Sequence, residues 1–427
     1  MNKINKFLQN NIEKIVNYFI IIQPILDVIA AISLNVLHID LTLSSIIRFA
    51  FLLLCIYYIM ILDKTENKKN NILKIILIGI YTLCFSITTI ISKDTTVLSF
   101  EIKNTINTFF LPIILLALMD ISEQYKIKYK IKTIAYVYTL YITLISIPNI
   151  THTGFNSYDH SKIGSVGWFQ SANAVGNILS ILLPIIIIYI LKIKEKKALK
   201  ILIILLSLYA FSSMGTKVPI ISLVICTITT LLYYIINWIK QKKYKQLIIS
   251  TTITTMIVAI TLIIIPKTSF YKNIQIHKDF LGFNSYTEIL TDYKLIDHFI
   301  FSQRLTFLKN TSQNYKNANI GEKLLGIGYI ENYGTDNVST KTIEIDYFEI
   351  LFRNGIIGFT IYFSIITPII VKCFKTKNIE LKLCIILILL LALFSGHILI
   401  TPAVSIFVAL IITAISKGGF YEKINQR

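Results

Sequence analysis

Arginine is scarce in this chain. Of 42 basic residues 38 are lysine, and the four arginines are Arg48, Arg304, Arg353 and Arg427. A guanidinium is the better two-pronged partner for phosphate or carboxylate, so an arginine in an apolar setting marks a candidate anion site. Arg304 takes the next place on an apolar stripe formed by Ile289, Tyr293, Ile296, Ile300 and Leu308. It reads either as a side chain snorkelling at a membrane surface or as one held against a cavity for an anion. Lys217 follows the short turn Ser212-Ser213-Met214-Gly215-Thr216, at a helix N-terminus. Free N–H groups and the helix dipole already favour anions there; a simple interfacial lysine is the other reading. Arg48 lies opposite Asp27 of the preceding apolar run. The two read as a structural pair or as parts of a polar cavity. Asp346, Glu349 and Arg353 are spaced three and four apart and share one helical face. Together they suggest a wet, protein-lined cavity or a self-neutralised network. Glu344 and Asp346 also form an E-x-D, a weak signal for a divalent ion. His397, near the end of an apolar run, reads as a hydrogen-bonded structural histidine.

The elements that position these groups follow from composition. The chain has 427 residues, 54% hydrophobic and only 15% charged, with a mean hydropathy of +0.67. Soluble domains run near 45–50% apolar and about 25% charged. An ordinary soluble enzyme is excluded, and so is disorder. Apolar runs approach ~20 residues, the length that crosses ~30 Å of hydrocarbon. The fold class is therefore an all-α polytopic membrane protein. Twelve spans are predicted, over residues 15–38, 43–62, 72–92, 102–119, 132–150, 173–191, 199–215, 217–238, 247–266, 346–371, 381–396 and 399–416. The first run is long and carries Asp27, so it reads as a retained span rather than a cleaved signal. Ionisable groups inside such spans cost about 2.5–3.5 kcal/mol at mid-helix and are functional candidates by default.

Charge sets the expected orientation. The N-terminal segment and every second connection hold 27 Lys and Arg, whereas the five short connections between them hold Lys93, Lys103, Lys162 and Lys217. Positive residues mark the cytoplasmic side, so both termini are expected there. The net charge of +19 is thus a topology signal facing anionic lipid, and no nucleic-acid partner is expected. Residues 267–345 break the pattern as one long, nearly neutral extracytoplasmic loop with nine basic and eight acidic residues. Loops beyond ~12–15 residues are uncommon unless structured or functional. The organisation expected is spans one to nine in 1–266, the large loop in 267–345 with an amphipathic helix over 287–309, and spans ten to twelve with a tail in 346–427.

The five cysteines have no metal-site spacing, and the long loop has none. No nucleotide-binding, zinc-hydrolase or nucleophile-elbow motif is present. ATP-driven pumping and nucleotide-sugar chemistry are disfavoured, and no metal or cofactor is expected.

Four local motifs, with their order and sidedness, resemble the bacterial O-antigen polymerase/O-antigen ligase superfamily of polytopic glycosyltransferases. Gly167-Trp168-Phe169-Gln170-Ser171-Ala172-Asn173 resembles its G-x-F-x-N-x-N segment. Ser213 to Lys217 is similar to its S/T-(R/K) turn, and Phe301-Ser302-Gln303-Arg304 to its S-x-R motif. Leu325-Gly326-Ile327-Gly328-Tyr329, then Glu344 to Gly358, resembles its L-G-x-G and HN-x-x-L…G-I-I-G tail. Glu344 stands where ligases carry His, a departure that fits polymerase-like members.

The resemblance implies transfer of glycan from an undecaprenyl-diphosphate donor to an acceptor glycan, by metal-independent displacement with inversion. It implies a multi-pass protein of the cytoplasmic membrane with its active site on the outer face. Glu344, Asp346 and Arg304 are the catalytic candidates. Lys217, Arg304, Arg48 and Arg353 are candidates for the diphosphate, and Asp27, Glu349, His397 and Asn173 for support of a polar cavity. A chain-length regulator and a flippase are candidate protein partners besides the bilayer. The runner-up activity is ligase-type transfer of finished glycan to an anchor or protein. A flippase or transporter for lipid-linked oligosaccharide is the reading of another class. It is disfavoured because the unusual charges, Asp27 excepted, gather towards the outer half.

Overall fold

The structure, a computed structural model, describes residues 3–39, 42–158, 162–194, 196–245, 248, 265–283 and 285–421. The predicted ninth span lies outside these, apart from Ile248, Ile265 and Pro266. Every other predicted span falls on helix.

Helices α1 (Lys3–Ile21) and α2 (Gln23–Asn35) form one apolar pair bent by 50°. Pro24 supplies the cause, since its ring removes a donor and crowds the preceding turn. There follow α3 (Leu43–Tyr57), extended by a π turn to Leu62, α4 (Lys68–Ser92), α5 (Leu98–Gln124), α6 (Ile131–Ile150), α7 (Ala172–Lys192), α8 (Lys197–Met214) and α9 (Lys217–Lys240). After the polar segment come α13 (Asp346–Cys373), α14 (Ile379–Phe394) and α15 (Pro402–Ser416). Among the described residues eight helices are long and apolar enough to cross a bilayer singly, and the bent pair makes a ninth. The chain is an all-α polytopic membrane protein.

The last two predicted spans fall on short helices. α14 and α15 have 16 and 15 residues. At 1.5 Å per residue each covers roughly 23 Å, less than a full hydrocarbon crossing. Packing explains α15. It is buried almost throughout from Val404 to Ile415 and lies along α5 and α7, themselves the most enclosed spans. A helix apolar all round belongs at the centre of a bundle. Peripheral helices instead turn Leu205, Val224, Ile228 and Leu83 outward, as lipid contact requires.

The polar segment holds α10 (Ser269–Leu281), α11 (Arg304–Asn317) and α12 (Ile320–Leu325). The amphipathic helix expected over 287–309 is not continuous. It is a 3-10 turn at Glu288–Leu290, one helical turn at Tyr293–Leu295, a π turn at Ile296–Ile300, and then a break. Ser302 and Gln303 hold φ of 53° and 69°, which no helix tolerates. The buried Asp297 carboxylate starts the next helix by accepting from the Leu305 and Thr306 amides at 2.9 and 3.1 Å. Asp297 therefore caps α11, whose first residue is Arg304, and the expected continuous helix ends at the break. A small hairpin pairs Phe155–Asn156 with Ser165–Gly167 ahead of α7.

Candidate functional site

Three chain breaks meet where α9, α11 and α13 begin. The α8–α9 turn is tight because Gly215 takes φ 71° and leaves no room for a side chain against the Ile163 carbonyl. Asn273 of α10 pins it, bonding Gly215 O at 3.0 Å and both the N–H and C=O of Ile163. Lys217 thus sits at the head of α9, half-buried. Its ammonium donates to the Phe299 carbonyl and lies 4.6 Å over that residue's ring. The π turn and break described above bring Arg304 to the same place.

The third break precedes α13. Glu344 has φ 59°, and Gly396 packs so closely on its backbone that a Cβ there would fall 2.5 Å from the Glu344 carbonyl. His397 follows with φ 60°. Left-handed backbone at residues other than glycine costs of order 1–3 kcal/mol each and gathers at functional sites. Asp346, wholly buried, accepts three amides of this segment: His397, Ile398 and Leu399, at 2.8, 2.8 and 2.7 Å.

The result is a cavity of about 550 Å³. Lys217, Arg304, Glu344, Asn173 and Lys162 line its polar part; Leu387, Leu390, Leu391 and Phe394 line its apolar part. Arg304 donates through Nε and Nη2 to one Glu344 oxygen at 3.1 and 2.7 Å, and through Nη1 to the Phe394 carbonyl at 3.1 Å. The other Glu344 oxygen lies 3.6 Å from His397 Nε2, an ionic contact rather than a hydrogen bond. Burial acts to raise the Glu344 pKa. His397 and the Arg304 charge outweigh it and bring the carboxyl from 4.5 down to about 2. Burial works against a charged His397, but the Glu344 and Asp346 carboxylates prevail and raise it above 6.5. The arrangement joins fixed cations, a carboxylate and a leucine-rich wall, which suits an anionic headgroup on an apolar tail.

The family described as O-antigen ligase like membrane protein matches residues 9–288 and 286–416. The chain belongs to that family. It is therefore a membrane enzyme of surface-glycan assembly. No curated relative matches the chain.

The O-antigen ligase-like motifs quoted from the sequence divide between this cavity and its supports. Lys217, Arg304, Glu344 and Asn173 come together. Asp346 does not line the cavity; its carboxylate is filled by the three amides, so Glu344 and Asp346 do not converge on one ion. Arg353 is also elsewhere. It is 1% exposed and bonds Glu349 at 3.2 Å, Glu331 at 2.6 Å, and the Gly328 and Lys341 carbonyls at 3.1 and 2.9 Å. That network seats the Leu325–Tyr329 motif, whose Gly326 leaves no room for a Cβ beside the Arg353 carbonyl. α13 breaks to admit it at Gly355, φ 64°. Arg48 bonds Asp27 at 2.5 Å together with Gln23 and Ser44, and Tyr141 donates to Asp27 at 2.6 Å. Arg48 borders a different groove, beside Lys103. Phe169 is fully buried against Tyr141.

Sequence reasoning overlooked Lys162, His277 and Glu101. Lys162 lines the cavity and two smaller chambers beside it; burial lowers its pKa. His277 lines those two chambers with Nδ1 unpartnered. Burial, then Lys162 and Lys217, push it down to about 4. A lysine on the lysine-poor side was the available signal for Lys162. Nothing local marks Glu101, which accepts the Tyr329 and Ile330 amides from 228 and 229 residues away.

Proposed function

We propose that the chain polymerises oligosaccharide repeat units carried on undecaprenyl diphosphate, at the outer face of the cytoplasmic membrane. The observation that supports this best is the single cavity joining Lys217, Arg304 and Glu344 to a leucine-rich wall. A lipid diphosphate presents the complementary pair, a fixed anion on a long apolar chain. Residues 267–345 are the outer unit in this reading, set between the membrane portions 1–266 and 346–427.

In the structure Glu344 neutralises Arg304. An arriving diphosphate takes over the guanidinium and Lys217, and Glu344 is released as a proton acceptor. The acceptor sugar's hydroxyl oxygen then attacks the anomeric carbon of the donor glycan from the side opposite the diphosphate. The new C–O bond forms as the bond to the diphosphate oxygen breaks. The electron pair leaves on that oxygen, stabilised by Arg304 and Lys217, and the hydroxyl proton passes to Glu344. Preorganised donors of this kind are often worth several kcal/mol in the transition state. Inversion follows, and the leaving diphosphate supplies the driving force. Asp346 acts by positioning His397. Asp27, Arg48, Glu349 and Arg353 support the frame and do not touch the diphosphate. A flippase would deliver the units, and a chain-length regulator would act beside the enzyme.

Polymerase is preferred because a carboxylate, Glu344, stands where the ligase motif has His. One observation favours ligase-type transfer: His397, 3.6 Å from Glu344, brings an imidazole to that same carboxylate. Deletion of the gene, with sizing of surface glycan and lipid-linked intermediates, separates the readings. Single repeat units accumulating on outer-leaflet lipid are expected. Long lipid-linked chains would instead indicate ligation, and units retained on the inner leaflet a flippase.

A further inference from the structure

A second cavity, of different chemistry, lies at the other end of the helix that carries Arg304. Asn314 and Asn317 come ten and thirteen residues after Arg304 on α11, roughly 15–20 Å along it at 1.5 Å per residue. They line a space of about 270 Å³ with Lys93, Glu331, Asn332 and Tyr333.

This lining has no leucine wall, and its charges are answered from within the protein. Lys93 pairs with Glu101 at 2.5 Å, and Glu331 with Arg353 at 2.6 Å. The remaining lining carboxylate, Glu322, caps α12 by accepting the Asn319 amide at 3.3 Å. The asparagine amides offer donors and acceptors together. The Asn317 side chain makes no hydrogen bond among the described residues, and the Tyr333 ring is 37% exposed. A neutral, polyhydroxylated ligand with an apolar ring face matches such a surface; a lipid or a diphosphate does not.

The cavity is also rigid. Glu101 holds the Tyr329 and Ile330 amides at 2.6 and 3.0 Å, and Arg353 holds Gly328. Buried ion pairs are seldom the best route to stability alone. Here two of them fix one polar ledge, and a preformed ledge loses little on binding.

We infer that this cavity is a glycan subsite, gripping sugar residues of the polymer several units away from the bond being formed. The inference rests on the glycosyl-transfer reading of the Arg304 cavity. Its role is to retain the chain between successive additions, so that its grip governs polymer length.

The test uses the full chain in lipid nanodiscs. The probe is the oligosaccharide released by mild acid from the host's own surface glycan, free of lipid and diphosphate, and the readout is saturation-transfer NMR. Wild type and Arg304→Ala are expected to bind it alike. Asn317→Trp, which fills the space from an exposed helix end, and Tyr333→Ala are expected to weaken binding about fivefold or more, the worth of one hydrogen bond. In cells these two variants would still consume lipid-linked units but build shorter chains. No signal from wild type, or equal signals from wild type and both cavity variants, overturns the inference. Normal polymer from Arg304→Ala would overturn the glycosyl-transfer reading and leave the binding result standing.

Discussion

Arg304 and Arg353 are alike in sequence, since each stands among apolar residues with carboxylates nearby. The structure separates them. Arg353 is saturated: two carboxylates and two carbonyls surround it, and it is sealed from any cavity. Arg304 shares one carboxylate oxygen and one carbonyl, and it faces a cavity that also contains Lys217. A buried arginine with every donor satisfied fixes a frame. One with a single exchangeable carboxylate can trade that partner for a ligand. In the proposed mechanism Glu344 is such a partner: it is half-buried and its own backbone is strained, whereas Glu349 is 1% exposed and lies within α13.

The largest effects come from breaking this contrast directly. Arg304→Ala is expected to lower polymer formation by about 10²–10³-fold, the worth of a transition-state donor, while the protein stays in the membrane at wild-type level. Arg304→Lys should fall between, because the two-pronged contact is lost. Arg353→Ala should act on folding. It strands two buried carboxylates, a loss of roughly 3–5 kcal/mol, and should lower the amount of protein in the membrane. Glycan sizing alongside membrane immunoblots reads both. Normal polymer from Arg304→Ala, or full abundance of Arg353→Ala, removes the distinction.

The same contrast, smaller in size, divides Glu344 from Asp346. Glu344→Gln removes the exchangeable partner and the proton acceptor, and should reduce the rate with little change in melting temperature. Asp346→Asn keeps the shape but turns an amide N–H₂ toward three backbone donors. It should cost about 1–3 kcal/mol of stability and lower the melting temperature in detergent, with a secondary loss of activity through His397. If both variants keep full activity, the carboxylate has no part in the reaction.

Much of this molecule was legible as sequence. Apolar run length marked the helices, and the sidedness of charge marked residues that line cavities. Lys93, Lys103, Lys162 and Lys217, the four lysines of the lysine-poor short connections, each line a cavity. What escaped was long-range or conformational. Spacing put Asp346 beside Glu344 but could not show the loop that returns 51 residues later to fill it. Helical periodicity carried the stripe through Ser302 and Gln303, because neither residue type announces positive φ. Run length could not show that α15 is buried among helices rather than facing lipid, because both settings have the same composition.

The smallest expected effect concerns the pair Glu344–His397, and it appears only as a function of pH. Glu344 must be ionised to accept a proton, and its pKa is held down to about 2 by His397 and Arg304. A depressed carboxylate keeps its function above its folded pKa and loses it as pH falls through that value. Wild-type kcat/KM, which reports groups of the free enzyme, should therefore show no acid limb from Glu344 between pH 7 and the ordinary carboxylate range near 4.5. His397→Gln removes the largest of the lowering contacts. The limb should then move upward, toward that range, while rates near pH 7 change only modestly. Arg353→Lys, which leaves Glu344 and its neighbours in place, should leave the limb where it is. An unchanged acid limb in His397→Gln would mean that His397 braces the 396–399 segment without tuning the carboxylate, and Glu344 would then depend on Arg304 alone.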